Sequence, residues 1–497
     1  MSDLSLYESC LRKIAINLRD GIYKSCHENP FSVMSSKFVN DIMSAALDLE
    51  RADGLRADDL EQLLTSGKLR ELKMLQIDMC QELLQVLNSF ISGCQELEVL
   101  HLTWSGFQVE LISDIQKALG NLLRNSPNLK DLRSSIGFDL KALRNCKNLR
   151  YVKLLFQPQQ HWYDFLAKEN DQFQPHKYLE FFTICGLLGL EQIPCGDIVV
   201  ILRHCPELTS LGFLESSEAL SLLHNMPISP SELKLRHCFW RDTRRTVPGG
   251  NYVNHGGIKD AVLYCPMIEE LEILVLYIET ISCLRNLRNL VYLNITAHCD
   301  ENIGAVFRYV LQEIGSRLKH LSFDFCNSSC SVDISIFLLY CPNLESLKID
   351  GDKPLSASSV IPLPHLKRLS FKNSHCNDIR RIFPQLSGCN QLTDLFLENA
   401  TDFDDETLYC FLKRNSLSNL KVAYLESCSL SELGFREFLL NAPRLEKIEF
   451  VHNDLHRSHF ERVVRETSHK AICNKDLLST SDEFFEKRSG VNMILLL

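Results

Sequence analysis

The 497-residue sequence lacks the features of a membrane, secreted or nucleic-acid-binding protein. No stretch approaches the roughly eighteen uncharged residues that a membrane-spanning helix needs. Residues 1–30 carry charges throughout, without the apolar core of an export signal. The 53 basic side chains are outnumbered by 63 acidic ones, and a net charge of −10 disfavours a surface that neutralises nucleic-acid phosphates. We therefore expect a cytoplasmic or nuclear protein that binds neither membranes nor nucleic acid.

Recognisable catalytic and metal-binding motifs are also missing. The sequence contains no G-x-S-x-G elbow, no glycine loop of the phosphate-binding type and no H-E-x-x-H pair. Its 20 cysteines include no C-x-x-C pair, and without an export signal they are expected to be free thiols in a reducing compartment. The sequence thus predicts no catalytic residues, no metal site and no cofactor, so we do not expect an enzyme.

The sequence is rich in one recurring pattern, L-x-x-L-x-L, which runs from about residue 70 to about residue 450. From residue 268 to residue 445 successive copies begin about 22 to 28 residues apart. The alternating leucines would cover one face of a short strand, and amphipathic stretches such as residues 334–339 would form crossover helices. The copies are Leu72-Leu75-Ile77, Leu97-Leu100-Leu102, Leu129-Leu132, Leu149-Val152-Leu154, Leu208-Leu211-Phe213, Leu233-Leu235, Ile268-Leu271-Ile273, Leu290-Leu293-Ile295, Leu318-Leu321-Phe323, Leu344-Leu347-Ile349, Leu366-Leu369-Phe371, Leu392-Leu395-Leu397, Leu420-Ala423-Leu425 and Leu445-Ile448-Phe450.

Because one such strand cannot bury its apolar face alone, the copies must stack as a parallel ladder. Cysteines mark two positions in the repeat. One class lies three residues after the last strand leucine: Cys80, Cys238, Cys326 and Cys428. The other ends the helix just before the next string, often as Cys-Pro: Cys94, Cys146, Cys205, Cys265, Cys341 and Cys389.

This pattern resembles the cysteine-containing leucine-rich repeats of ubiquitin-ligase substrate receptors. The resemblance implies an α/β leucine-rich-repeat solenoid, with a parallel β ladder on its concave face and helices on its convex face. Residues 51–465 would hold roughly 14 repeats, and residues 466–497 would form a C-terminal cap or a loose tail. Residues 155–180 and 240–257 break the register and are interpreted as insertions, most simply surface loops.

Residues 1–50 do not fit the repeat. Residues 5–14 read S-L-x-x-x-C-x-x-x-I, which matches the elongin-binding BC box. Leu6, Cys10 and Ile14 would form one stripe on a helix that can enter a groove of elongin C. In residues 34–42, Met34, Phe38 and Ile42 have the apolar spacing of a cullin-2 box, with serine in place of its usual proline.

Taken together, the chain resembles the Zyg/Zer-like receptors of elongin B/C–cullin-2 ubiquitin ligases, without their armadillo region. The resemblance implies elongin C, elongin B, cullin-2 and a protein substrate as partners. Substrate would bind side chains between the strand leucines on the concave face, with these candidates: Lys348, Asp350, Ser370, Lys372, Phe396, Glu398, Tyr424 and Glu426.

Two alternatives remain open from the sequence. Residues 30–43 loosely follow the order of an F-box, which would recruit a different adaptor to the same end of the chain. Alternatively, the N-terminal helix caps the first repeat, as every repeat array requires, and the chain is a scaffold with no ligase partner.

Overall fold

The computed structural model describes residues 5–53, 57–77, 80–104, 111–156, 161–170, 172–184, 195–212, 216–224, 233–241, 244–246, 252–254, 257–275, 281–297, 303–325, 332–351, 355–372, 378–451, 457–467 and 472–473. These residues form two compact units. Unit 1 holds the described residues up to 212 together with 233–235, and unit 2 holds 216–224 and those from 236 to 473.

The helices of the described residues are α1 Leu6–Arg19, α2 Ser36–Asp53, α3 Ala57–Leu64, α4 Cys80–Phe90, α5 Ile112–Arg124, α6 Cys195–His204, α7 Ser216–His224, α8 Gly257–Tyr264, α9 Ile303–Ile314, α10 Ser335–Leu338, α11 Asp378–Ile382, α12 Asp405–Leu412, α13 Glu432–Asn441 and α14 Arg457–Glu466. Short 3₁₀ helices span Ile22–Ser25, Pro30–Val33, Cys94–Glu96, Leu140–Asn145, Ser282–Asn286, Gly315–Arg317 and Phe383–Gln385.

The strands are β1 Glu71–Ile77, β2 Val99–Trp104, β3 Asp131–Ser134, β4 Tyr151–Leu154, β5 Lys168–Glu169, β6 Gln172–Phe173, β7 Phe181–Ile184, β8 Ser210–Gly212, β9 His237–Arg241, β10 Arg244–Thr246, β11 Tyr252–Asn254, β12 Glu270–Val275, β13 Tyr292–Ala297, β14 His320–Phe325, β15 Val332–Asp333, β16 Ser346–Gly351, β17 Leu355–Ser356, β18 Ile361–Pro362, β19 Arg368–Lys372, β20 Leu386–Ser387, β21 Asp394–Glu398, β22 Val422–Glu426, β23 Lys447–Val451 and β24 Ile472–Cys473.

Unit 1 begins with helices and continues as a ladder of parallel strands in the order β1-β2-β3-β4-β7-β8. The register joins the central inward-facing residue of each strand: Leu72, Leu100, Leu132, Val152, Phe182 and Leu211. All six side chains are buried. Each strand therefore contributes the same position to one continuous apolar core.

Unit 2 repeats this architecture in the order β9-β12-β13-β14-β16-β19-β21-β22-β23-β24, again with every neighbour parallel. Burial alternates along β12 and β13, where every second side chain is buried. In both units the half-exposed side chains between the buried ones form what we call the outer face of the sheet. The predicted α/β leucine-rich-repeat fold with a helical N-terminal part is confirmed.

The helical N-terminal part covers the first strand through α2. The side-chain oxygen of Asn40, on α2, accepts hydrogen bonds from the backbone N–H groups of Arg70 and Glu71 at 3.0 and 3.3 Å. Because β1 is the first strand of the ladder, these groups would otherwise be unpaired at its open edge. Helix α2 thus pairs two of the backbone N–H groups at this edge of unit 1.

The pairing register corrects two of the assigned leucine strings. Leu72 pairs with Leu100 and Met74 with Leu102, so the first repeat reads Leu69-Leu72-Met74 and not Leu72-Leu75-Ile77. The side chains of Leu75 and Ile77 lie outside the described residues. Likewise Cys238 pairs with Leu271 and Trp240 with Ile273, so the string is Leu235-Cys238-Trp240 and not Leu233-Leu235. Leucines three residues apart permit either frame, and only cross-strand pairing selects one.

A further repeat lies within the region that the sequence left unassigned. Phe182 pairs with Val152 and Ile184 with Leu154, so Leu179-Phe182-Ile184 is a repeat string, and all three side chains are buried. It follows an insertion that the sequence did not predict to contribute to the core. Three of its apolar side chains, Trp162, Phe165 and Leu166, are buried.

The insertion at residues 155–180 is therefore more than a surface loop, because it packs on unit 1. The backbone N–H of Trp162 donates to Asp197 Oδ2 at 2.8 Å, and β5 and β6 form a short antiparallel pair. The second insertion begins later than expected, since Trp240 is fully buried in β9. Within this insertion, β10 and β11 form an antiparallel pair.

The cysteines that end the helices are buried, as the repeat pattern predicts. The thiol of Cys146 donates to the carbonyls of Leu123 and Ser126, both in the preceding repeat, at 3.3 Å. Of the other class, Cys428 is buried at its expected place, but Cys238 occupies the strand itself. Cys326 and the side chain of Cys80 lie outside the described residues.

Asparagines that precede the first string leucine form a second connection between repeats. The side-chain amide of Asn343 donates to the carbonyl of Ser316 at 2.7 Å, and that of Asn419 donates to the carbonyl of Asn390 at 2.9 Å. Asn128 bonds the carbonyl of Gln95 in the same way. Sequence reasoning missed this connection, although its signal, an Asn-Leu pair at the start of five of the repeats, is visible in the sequence.

Candidate protein-interaction surfaces

On helix α1, the predicted BC-box residues lie off the face that packs against the rest of unit 1. Ser5 caps the helix in a capping box with Glu8, which fixes where α1 begins. On one side Leu11, Ala15 and Leu18 are buried, and α1 contacts α2. The three predicted elongin-contacting residues lie elsewhere on the helix: Leu6 is 82% exposed, Cys10 is exposed and Ile14 is half-buried.

The BC box and the cullin-box-like segment meet through Tyr7. Its hydroxyl donates to Asp41 Oδ2 at 2.6 Å, and this hydrogen bond raises the pKa of Tyr7 above its usual range. The ring of Tyr7 also lies 6.3 Å from that of Phe38, centroid to centroid. The start of α1 is therefore held beside the start of α2, and the two predicted docking segments are neighbours.

The residues predicted to contact cullin-2 differ in their accessibility. Met34 and Phe38 are half-buried, but Ile42 is fully buried in the core of the chain. Ile42 is therefore corrected from a partner contact to a packing residue, because the apolar spacing of an amphipathic helix serves its own core equally well. Sequence reasoning missed Val33, which is 87% exposed beside Met34. In the F-box alternative, Phe31 and Met43 are likewise buried.

On unit 2 the register gathers the predicted substrate-binding residues on four neighbouring strands. Lys348, Ser370, Phe396 and Tyr424 form one row of the outer face across β16, β19, β21 and β22. The next row holds Asp350, Lys372, Glu398 and Glu426. Six of the eight are half-exposed, and these are Lys348, Asp350, Lys372, Glu398, Tyr424 and Glu426.

Two of the eight substrate-binding candidates are not accessible. Ser370 is 3% and Phe396 5% exposed. Both point to the outer face but stand between neighbours in adjacent strands, and the ring of Phe396 stacks on that of Tyr424 with centroids 6.4 Å apart. Strand alternation gives the direction of a side chain but not how far its neighbours cover it.

Acidic groups are crowded on this outer face. Burial, helped by the charges of Asp324 and Glu398, raises the pKa of Asp350 to about 6, although the Lys372 ammonium 3.9 Å away acts to lower it. The hydroxyl of Tyr424 donates to Glu426 Oε2 at 3.2 Å. Burial, followed by the charge of Glu426, holds the pKa of Tyr424 above its usual range. The face thus carries both charge signs beside the half-exposed ring of Tyr424.

In the part of the chain that the structure describes, no three His, Cys, Asp or Glu side chains are grouped so as to hold a metal ion. No helix among those residues has the length and apolar character to cross a bilayer.

Comparison with known proteins gives no family assignment. No protein-family model matches the chain, and no curated protein sequence matches it. Among solved structures it is similar to the yeast Rad7 and Elc1 complex at 13% identity, with 90% of this chain and 89% of that chain covered and a TM-score of 0.37. It is also similar to an internalin, inlF, from Listeria monocytogenes at 13% identity, 87% and 92% coverage and a TM-score of 0.29. Scores this low carry no weight, and the fold is assigned from the strand register.

Proposed function

We propose that this chain is a substrate-recognition subunit of a cullin-RING ubiquitin ligase. Helix α1 docks elongin C, which brings elongin B, and the adjoining segment at Met34 and Phe38 contacts cullin-2. A target protein binds the outer face of the repeat sheet in unit 2. Ubiquitin transfer is carried out by the associated ring protein, so this chain needs no catalytic residue of its own.

The observation that carries the proposal is the exposure of Leu6 and Cys10, with Ile14 half-buried beside them, on a capped helix. Leaving a leucine side chain in water forgoes roughly 1.5–3 kcal/mol of burial free energy. A helix that served only to cap the array would bury that stripe against the first repeat. Here Asn40 on α2 accepts two backbone N–H groups at the strand edge, while Leu6 and Cys10 on α1 remain exposed.

The position of the second docking segment supports the same proposal. The Tyr7–Phe38 ring contact and the Tyr7–Asp41 hydrogen bond place residues 34–38 beside the start of α1. Elongin C bound to α1 would therefore place cullin-2 near Val33 and Met34. With Ile42 buried, the cullin contact is expected to involve Val33, Met34 and Phe38.

Binding of the full chain to purified elongin B/C tests the proposal. We expect a stable complex that Leu6→Ser combined with Cys10→Phe weakens about 30-fold or more, because the loss of even one anchor residue of an interface costs about 2 kcal/mol. Calorimetric titration measures the affinity. Leu433→Ser is the matched control, since Leu433 is 75% exposed on α13 and should change nothing.

Equal affinity of the wild-type chain and the double variant, with unchanged melting temperatures, would contradict the docking site. Binding of the F-box adaptor in place of elongin C would assign the chain to the SCF class of ligases. If the chain binds neither adaptor, a scaffold without a ligase partner is the remaining function. If elongin C binds, Met34→Asp should then lower recovery of cullin-2 while elongin C is retained.

A further inference from the structure

A pocket of about 240 Å³ opens in unit 1, at a distance along the chain from the docking segments and from the candidates on unit 2. One wall comes from the 3₁₀ helix Leu140–Asn145 and the residues that follow, through Arg144 and Lys147. The other comes from the inserted segment, through residues 165–167 and 174–178. The proposed function uses none of these residues.

The charged side chains that line the pocket are all basic. Arg144, Lys147 and Lys177 line it, and no carboxylate is among the lining residues. Lys147 and Lys177 are exposed, and neither forms an ion pair with any residue that the structure describes. The Arg144 guanidinium donates from Nε to the carbonyl of Asp164 at 2.8 Å, and its Nη2 lies 4.0 Å from the Asp164 carboxylate, so its charge is partly balanced. Two ammonium groups and a partly balanced guanidinium thus line one concavity of a chain whose net charge is −10.

Hydrogen bonds within unit 1 hold the walls of the pocket. The inserted segment is anchored by the backbone hydrogen bonds from Gln174 to the carbonyl of Ala167, at 2.9 Å, and from His176 to the carbonyl of His204, at 2.6 Å. His176 Nε2 lies 3.3 Å from the carbonyl oxygen of Cys146, and burial lowers the pKa of this imidazole, so it forms part of the wall and adds no charge near neutral pH. Preformed pockets with a few polar groups are typical ligand sites.

We propose that this pocket binds a phosphate monoester group. Lysine ammonium groups and a guanidinium suit a compact tetrahedral dianion. Several positive charges bind a dianion more strongly than they bind a singly charged carboxylate. The volume exceeds that of the anion alone. The remaining wall, formed by Phe165, Leu166 and Pro175, is apolar and packs against the carbon atoms that carry the phosphate. Either a free phosphate compound or a phosphorylated side chain of a protein has this chemistry.

Titration of the full chain at constant ionic strength tests the pocket. The probes are inorganic phosphate, blocked phosphoserine and blocked serine, with sodium chloride as the balancing salt, and binding is followed by ³¹P NMR and calorimetry. We expect saturable binding of phosphate and phosphoserine, and none of serine. Lys147→Gln combined with Lys177→Gln should weaken phosphate binding at least about tenfold, because two of three charge-assisted contacts are lost.

The matched control is Lys117→Gln combined with Lys413→Gln, which removes the same charge from exposed positions outside the pocket and should leave binding unchanged. Circular dichroism melts of both variants verify folding. Equal phosphate affinity in the pocket variant and the wild type, or no saturable binding by the wild type, would overturn the proposal. Tighter binding of phosphoserine than of phosphate supports a phosphorylated partner, and the reverse order supports a free anion. Neither result depends on elongin C.

Discussion

At the scale of single residues, burial separates the cysteines into two chemical kinds. Burial raises the pKa of the Cys146, Cys205 and Cys341 thiols to about 12, because a thiolate inside the apolar core would lose its solvation. These side chains act as small packing groups beneath the next strand. Cys10 and Cys26 are exposed in the N-terminal helical part and have no such protection.

We predict that maleimide labels Cys10 and Cys26 of the native chain near neutral pH at least about 100-fold faster than Cys146, Cys205 or Cys341, since the thiolate is the reacting species. Mass spectrometry of tryptic peptides measures each site, and labelling in guanidinium chloride is the control in which all five should react. Comparable native rates at Cys10 and Cys341 would contradict the assigned burial. If elongin C binds α1, it should shield Cys10 and leave Cys26 reactive.

At the scale of elements, the spacing between neighbouring repeats depends on small residues at the points where their backbones come close. A Cβ atom on Gly315, just after α9, would lie 2.6 Å from the carbonyl oxygen of Tyr340 and 2.9 Å from Cys341 Sγ in the next repeat. Glycine is required there because the next repeat leaves no room for a side chain. Gly120, inside α5, has no such neighbour, since the nearest atom is the end of the Arg124 side chain at 3.9 Å.

Substituting alanine at these two glycines should therefore change stability in opposite directions. Gly315→Ala should lower the free energy of unfolding by about 1–3 kcal/mol, because the two repeats must separate. Gly120→Ala should raise it by about 0.5–1 kcal/mol, because alanine restricts the unfolded chain and favours the helix. Urea denaturation followed by circular dichroism measures both, and a stabilising Gly315→Ala would contradict the close packing of the repeats.

At the scale of the whole molecule, each strand of a ladder depends mainly on its two neighbours. Leu347 is fully buried in β16, where it pairs with Leu321 on one side and Leu369 on the other. A defect at this position removes packing from three adjacent repeats of unit 2. Stability in repeat arrays is close to a sum of repeat and neighbour contributions, so the effect should decline with distance.

We predict that Leu347→Ala destabilises unit 2 by about 2–5 kcal/mol. Hydrogen exchange should show the greatest loss of protection in β14, β16 and β19, with β2 and β3 of unit 1 unchanged. Lys348→Ala, on the outer face of the same strand, is the control and should alter stability by less than about 0.5 kcal/mol. Equal loss of protection in both units would show that the chain unfolds as one cooperative body.

Local patterns were sufficient for the repeat and for the stripe on α1. The period of the leucines implies parallel strands joined by crossovers, since no other arrangement buries that face. The spacing of Leu6, Cys10 and Ile14 implies one side of a helix. Both inferences rest on residues a few positions apart, whose geometry is set by the backbone alone.

Cross-strand pairing and packing decided the rest. Whether Leu69 or Leu72 begins the first repeat, and whether Phe182 belongs to a strand, depends on a partner 20 or more residues away, which an overlapping leucine pattern leaves undetermined. The exposure of Leu6, the burial of Ile42 and the gathering of Arg144 with Lys177 likewise depend on which segments pack together. A sequence pattern specifies the direction in which a side chain points, but only the tertiary structure specifies what covers it.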